Sequence, residues 1–293
     1  MKHTDSGSAA APESGQADAT YVFAVCGRGC DPAALAGLSG QAAGTPVRLL
    51  PFGSLEAVVQ DVPARAFGEE TLRERLSDRA ELEQCARAHH AVIAAAADTA
   101  PTLPLPLATL YRGDERARAA LRADEGRFLA VLERIADRVE WGIKVYAGRR
   151  RPSTPAPPHQ ASRPRTPGGR ESRAVGSASR PGHAYLERVR GARDEREQRQ
   201  EAGLAAADAV DRALRKVAVA GRRLRSHDPA LNPEHGVQLL NAAYLVDQER
   251  AAELMGAIEQ LRRSPEHRGI ELEVTGPWVP YSFVEGGDPV AGR

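Results

Sequence analysis

The alternation of Val139, Trp141, Ile143 and Val145 with Glu140, Gly142, Lys144 and Tyr146 limits this chain's fold more than any other feature. Side chains of a strand leave on opposite faces at a period of two, so this run is a strand with one buried face. The period then lengthens. No proline interrupts residues 183–228, and Ala206, Val210, Ala213, Val217, Ala220 and Leu224 recur at steps of four and three. That spacing predicts one helix of roughly 60 Å at 1.5 Å per residue. Its small residues allow close approach but lack the bulk of a free-standing coiled coil, so the helix packs within the chain. Residues 237–246 read as a strand and Asp247 as an N-cap. Ala251, Leu254, Met255, Ile258 and Leu261 form a helix face that stops before Pro265, and residues 270–275 read as a closing strand. Strand, helix, strand, helix, strand is the order of a modified ferredoxin-like domain, with the helices on one face of the sheet.

Upstream, residues 21–25 are a short apolar strand ended by Gly27 and Gly29. Residues 47–50 and 55–59 flank a Pro51-Phe52-Gly53 turn as a hairpin or bent strand. Asp78 with Glu81 opens an amphipathic helix carrying Leu82, Cys85, His89, Val92 and Ala96 on one stripe. Leu103-Pro104-Leu105-Pro106-Leu107 lacks two N–H groups and belongs at a sheet edge. Phe128, Val131, Leu132, Ile135 and Val139 restore a helical stripe. The fold class is therefore α+β: an N-terminal α+β domain over 21–138 and a C-terminal ferredoxin-like domain over 139–285, with tails at 1–20 and 286–293. Residues 148–182 carry eight arginines against one acid amid Pro, Ser and Gly, and read as a disordered linker or insertion.

Near the C-terminus, Pro277 and Pro280 bracket Trp278, Tyr281 and Phe283 in a chain with only 4% aromatic residues. The prolines force an extended course at a sheet edge and the rings require apolar cover. Two readings follow, a structural clasp and a partner-binding surface.

Asn241-Ala242-Ala243-Tyr244-Leu245-Val246-Asp247, the helix after it and Thr275-Gly276-Pro277-Trp278-Val279-Pro280-Tyr281-Ser282-Phe283 resemble the C-terminal signature of the GvpL/GvpF family of gas vesicle accessory proteins. His89, Val92, Leu103-Pro104-Leu105, Thr109 and the run from Val139 to Val145, Trp141 included, resemble its N-terminal half in order. One departure is visible: Pro106-Leu107-Ala108-Thr109 stands where the family shows Arg-Phe-Gly-Thr. The resemblance implies a non-enzymatic accessory or minor structural component of gas vesicles. It also implies that the chain binds the hydrophobic major shell protein (GvpA type), limiting its aggregation and assisting nucleation, and that it contacts other gas vesicle accessory proteins. Trp278, Tyr281, Phe283, Tyr244 and Trp141 are the candidate partner-binding or structural residues.

No constellation for chemistry stands out. Cys26-Gly27-Arg28-Gly29-Cys30-Asp31-Pro32 fails as a dinucleotide loop because its third glycine would fall at Pro32, and it reads as a turn. Three cysteines without C-x-x-C spacing suggest neither a disulfide framework nor zinc, and His89 reads as a packed helix residue. No catalytic residue, cofactor or metal is expected. No apolar run approaches a membrane span and no signal core is visible, so a cytoplasmic place, at the gas vesicle, is expected. Two alternatives stay open: a small-molecule-sensing ferredoxin-like module, and weak RNA or acidic-partner binding through the arginine segment, although that segment lacks the aromatics for base stacking.

Overall fold

The computed structural model describes residues 18–148, 181–226, 236–267 and 269–284. The expected tails lie outside these residues except at 18–20, and so does the arginine-rich segment from 149 to 180.

The N-terminal sheet is antiparallel, with strand order β2-β3-β1-β4. Its members are β1 (Asp18–Gly27), β2 (Val47–Phe52), β3 (Leu55–Pro63) and β4 (Thr102–Pro104), and the short β5 (Leu110–Tyr111) also pairs with β1. The proline-punctuated strand does sit at an edge, and Gly53, at φ 50°, makes the turn of the β2–β3 hairpin. In β1 the register slips between Val22 and Ala24, leaving Phe23 as the extra residue of a bulge. The slip reverses the phase of alternation. Val22 and Val25 thus face one core, while Tyr21, Phe23, Ala24 and Cys26 face another.

That second core is closed by α1 (Pro32–Leu35) and α3 (Arg79–Ala97) through Leu35, Val92, Ile93 and Ala96. Asp78 caps α3 as its sequence predicts, accepting from the N–H groups of Ala80 and Glu81 at 2.9 Å. His89 is buried between the Tyr21 hydroxyl and the Leu105 carbonyl. Two charged helices, α2 (Glu69–Ser77) and α4 (Asp114–Ala123), have too few apolar positions to announce themselves in the sequence. The first core lies under α4 and α5 (Glu125–Ile135). Helix α5 ends at Ile135, and Val139, expected on its stripe, belongs to the next strand.

The C-terminal sheet is also antiparallel, ordered β7-β8-β6-β9 from β6 (Arg138–Ala147), β7 (Ala220–Arg223), β8 (Gln238–Asp247) and β9 (Ile270–Trp278). With α6 (Pro181–Arg215) after β6 and α7 (Ala251–Arg263) after β8, this is the ferredoxin-like βαββαβ unit. Ala207, Val210 and Leu214 of α6 and Leu254 and Ile258 of α7 close one face over Ile143, Val145, Ala242 and Val246.

Two local expectations are corrected. The long helix does not run to Leu224: it ends at Arg215 after 35 residues, about 52 Å at 1.5 Å each, and 220–223 form an edge strand on β8. Gly221 weakens the helix at that point. In the strand, a Cβ on Gly221 would come within 3.2 Å of the Tyr244 ring and of the Arg215 guanidinium, a fit that favours glycine. Asp247 does not cap α7 either. Its carboxylate is taken by Arg138 Nε at 2.9 Å, and a 3-10 turn, Gln248–Arg250, leads into the helix.

Helix α5 joins the two halves. Phe128, Val131, Leu132 and Ile135 share one continuous core with Leu50, Phe52 and Val59 of the first sheet and Ala243 and Leu245 of the second.

Candidate partner-binding site

The candidate residues separate into two groups. Trp141 and Tyr244 lie opposite each other on β6 and β8, beneath α6 and α7. Tyr244 is fully buried and donates to Asp211 Oδ1 at 2.6 Å, an acceptor it shares with Arg215 Nε at 3.0 Å. Burial, then the neighbouring Asp211 carboxylate, pushes the Tyr244 hydroxyl pKa well up. Trp141 Nε1 is buried and meets no acceptor among the described residues. Neither ring offers a surface to a partner.

Trp278, Tyr281 and Phe283 occupy the seam between the halves. A cis peptide precedes Pro277, and β9 gives way to a 3-10 turn, Tyr281–Phe283. Phe283 is buried in the core shared by both sheets. Tyr281 turns to α3, where its hydroxyl meets His90 Nδ1 at 3.1 Å; burial, with the Glu140 charge as a lesser cause, pushes its pKa up to about 12. Trp278 packs edge-on to the same imidazole at 5.4 Å between centroids, yet is 45% exposed. His90 thus joins two of the rings, and it was not among the residues singled out from the sequence. Its signal was its adjacency to His89: consecutive helix positions point about 100° apart, so one imidazole faces the core and the other the seam.

Three polar anchors hold the turn. Ser282 donates its N–H and hydroxyl to the Glu140 carboxylate at 2.7 and 2.6 Å. Arg222 donates to the Ser282 carbonyl at 2.7 Å, and Arg134 to that of Phe283 at 2.5 Å. Burial raises the Glu140 pKa despite the Ser282 hydrogen bonds that favour its charge.

Beside the turn lies a groove of about 470 Å³. Helix α3 and the following loop supply His90, Asp98 and Thr99, Arg138 at the start of β6 and Asp137 just before it supply the second side, and Trp278 with Pro280 closes the third. Both acidic and basic groups line it, with an exposed indole at its rim. β9 is the last strand of its sheet, and no other described strand pairs with its outer edge. Among the described residues no cluster of three His, Cys, Asp or Glu could hold a metal ion, and no helix is long and apolar enough to cross a membrane.

The sequence pattern described as "Gas vesicle synthesis protein GvpL/GvpF" matches residues 19–285. Gas vesicle protein L of Streptomyces sp. (strain CB03234) is 38% identical over 265 residues, covering 90% of this chain and 91% of that protein. Gas vesicle protein F of the same strain is 32% identical over 246 residues, covering 82% and 88%. Among solved structures, GvpF from Anabaena sp. PCC7120 superposes with a TM-score of 0.61 at 13% identity, over 94% of this chain and all (100%) of that one. GvpF from Microcystis aeruginosa gives 0.56 at 12%, over 91% and 99%, so both share the fold. By the match along nearly the whole chain and by identity to both relatives, this protein belongs to the GvpL/GvpF family of gas vesicle synthesis proteins.

Proposed function

We propose that this protein is a non-enzymatic assembly factor acting at the gas vesicle, which binds the hydrophobic major shell protein and limits its aggregation during nucleation. A subunit destined to face gas carries an apolar surface that self-associates in water, and a partner covering it transiently keeps it available for ordered growth. The observation that carries this reading is Trp278: a large ring, 45% exposed, at the end of an edge strand and the rim of a groove. An extended segment can add to the β9 edge by main-chain hydrogen bonds while the indole supplies an apolar anchor. Co-purification of the shell protein with this chain tests the proposal. Binding is expected for the unaltered protein and reduced binding for Trp278→Ala, with circular dichroism verifying that the variant is folded. Undiminished binding rejects Trp278 as the anchor, and absence of binding by the unaltered chain rejects the assembly role.

The groove volume also falls in the range of small-molecule sites, which keeps a sensing module as the second reading. Saturable thermal stabilisation by a metabolite, with no shell-protein binding, would favour it.

A further inference from the structure

Two helix ends converge on the groove beside Trp278. Helix α3 closes at Asp98, its C-cap, and α5 ends at Ile135, two residues before Asp137, which takes φ 56°. Both aspartates line the groove, and both are exposed. A helix C-terminus carries unpaired carbonyls and the negative end of the macrodipole, so cations are favoured there and acids are not. These two ends reverse that preference. The last turn of α3 holds no basic residue, and Arg134, in the last turn of α5, is committed to the Phe283 carbonyl.

The polar groups of the groove are unequally occupied. Arg138 gives Nε to Asp247 and a second nitrogen to the Arg134 carbonyl, so its charge is already compensated. His90 meets the Tyr281 hydroxyl, and the Thr99 and Thr102 hydroxyls donate to the Ala96 and Ala100 carbonyls. The Asp98 and Asp137 carboxylates have no hydrogen bond or ion pair among the described residues. The groove is thus left with uncompensated negative charge, held on acceptors at two helix ends.

We propose that this groove is a subsite for a cationic side chain, lysine or arginine, carried by the chain that docks along β9. The identity of that chain rests on the assembly role proposed above; the subsite itself does not. The cationic head takes the place that a basic residue ordinarily fills at a helix end and donates to Asp98 and Asp137. Trp278, 45% exposed at the rim, adds the attraction of an aromatic ring for a cation. Ala94, Ala97 and Ile135 give the methylene stem an apolar wall. Because an acid at a helix C-terminus opposes the macrodipole, neutralising these aspartates weakens the subsite without weakening the fold.

The test titrates the full, nitrogen-15-labelled chain with Nα-acetyl-arginine amide, Nα-acetyl-lysine amide and the neutral Nα-acetyl-norleucine amide, following the Trp278 indole N–H resonance. A saturable shift is expected with the two cations and none with the neutral probe. The double variant Asp98→Asn, Asp137→Asn is expected to bind the cations about tenfold more weakly, with Tm unchanged or raised. The single variant Asp98→Asn should fall between. Equal response to all three probes, no response to the cations, or undiminished binding by the double variant would each overturn the subsite, as would a Tm lowered by both substitutions. Co-purification of the shell protein separates the two ideas. Cation binding without shell-protein binding keeps the subsite and rejects the assembly role, whereas shell-protein binding unaffected by the double variant keeps that role and rejects the subsite.

Discussion

Ser282 gives both its N–H and its hydroxyl to one carboxylate, that of Glu140, across 142 residues of sequence. Removing the acceptor with Glu140→Ala leaves two donors unsatisfied in the seam and is expected to cost about 1–3 kcal/mol in denaturant unfolding. Burial lifts the Glu140 pKa above its ordinary 4.5. The folded protein therefore keeps this proton to higher pH than the unfolded chain does. Its stabilising contribution is complete below pH 4.5 and is lost as pH rises through the folded value. Glu140→Gln does not titrate and can still accept from Ser282. Its Tm relative to the unaltered protein should be higher at about pH 7 than at about pH 4.

Asp211 shows the opposite sign. Burial alone would raise its pKa, but hydrogen bonds from Tyr244, Arg215 and Arg223 together hold it below the ordinary 3.8. Its contribution is present above pH 3.8 and is lost as pH falls through the folded value. Asp211→Ala is expected to destabilise by about 3 kcal/mol and Tyr244→Phe by about 1 kcal/mol at neutral pH, by denaturant titration. The pair should be strongly non-additive, because the second change removes a bond already lost.

Ala108 occupies the left-handed region at φ 67°, and its N–H donates to the Tyr21 hydroxyl at 3.0 Å. An L side chain in that conformation costs about 1 kcal/mol. Ala108→Gly should therefore raise stability by up to about 1 kcal/mol, net of the unfolded chain's added freedom. A lowered Tm would show that the turn is held for another reason.

Phe283 and Trp278 lie within six residues of each other but should respond differently to truncation. Phe283→Ala empties a site in the shared core and is expected to cost about 3–4 kcal/mol. Trp278→Ala removes a half-exposed ring whose described ring contact is His90, and should cost only about 1 kcal/mol. Thermal unfolding of both variants checks the contrast.

Strands with clear alternation, such as β6, and helices with a strong apolar stripe, such as α5, were legible because periodicity alone specifies their buried face. The α+β class and the ferredoxin-like order followed from them. The β7 strand was not legible: Val217, Ala220 and Leu224 fit a helical period equally well, and the choice is made by the open edge of β8, which no local pattern reveals. The candidate site was legible only as a list of rings. That Trp141 and Tyr244 sit beneath helices while Trp278 and Tyr281 meet at His90 depends on the packing of the two halves. Glu140 gave no sign either, since on a strand it reads as an outward polar residue until Ser282 closes over it.

The placement of β6 has a consequence for how the molecule withstands cutting. This strand precedes residues 149–180, yet it is hydrogen-bonded on one side to β8 and on the other to β9, both of which follow them. A single nick between 149 and 180 would leave one of the two inner strands of the second sheet on the first fragment, gripped from both sides by the other. Such a protein should run as two bands on a denaturing gel and elute as one species from a sizing column, and the two pieces, expressed separately, should reconstitute each other.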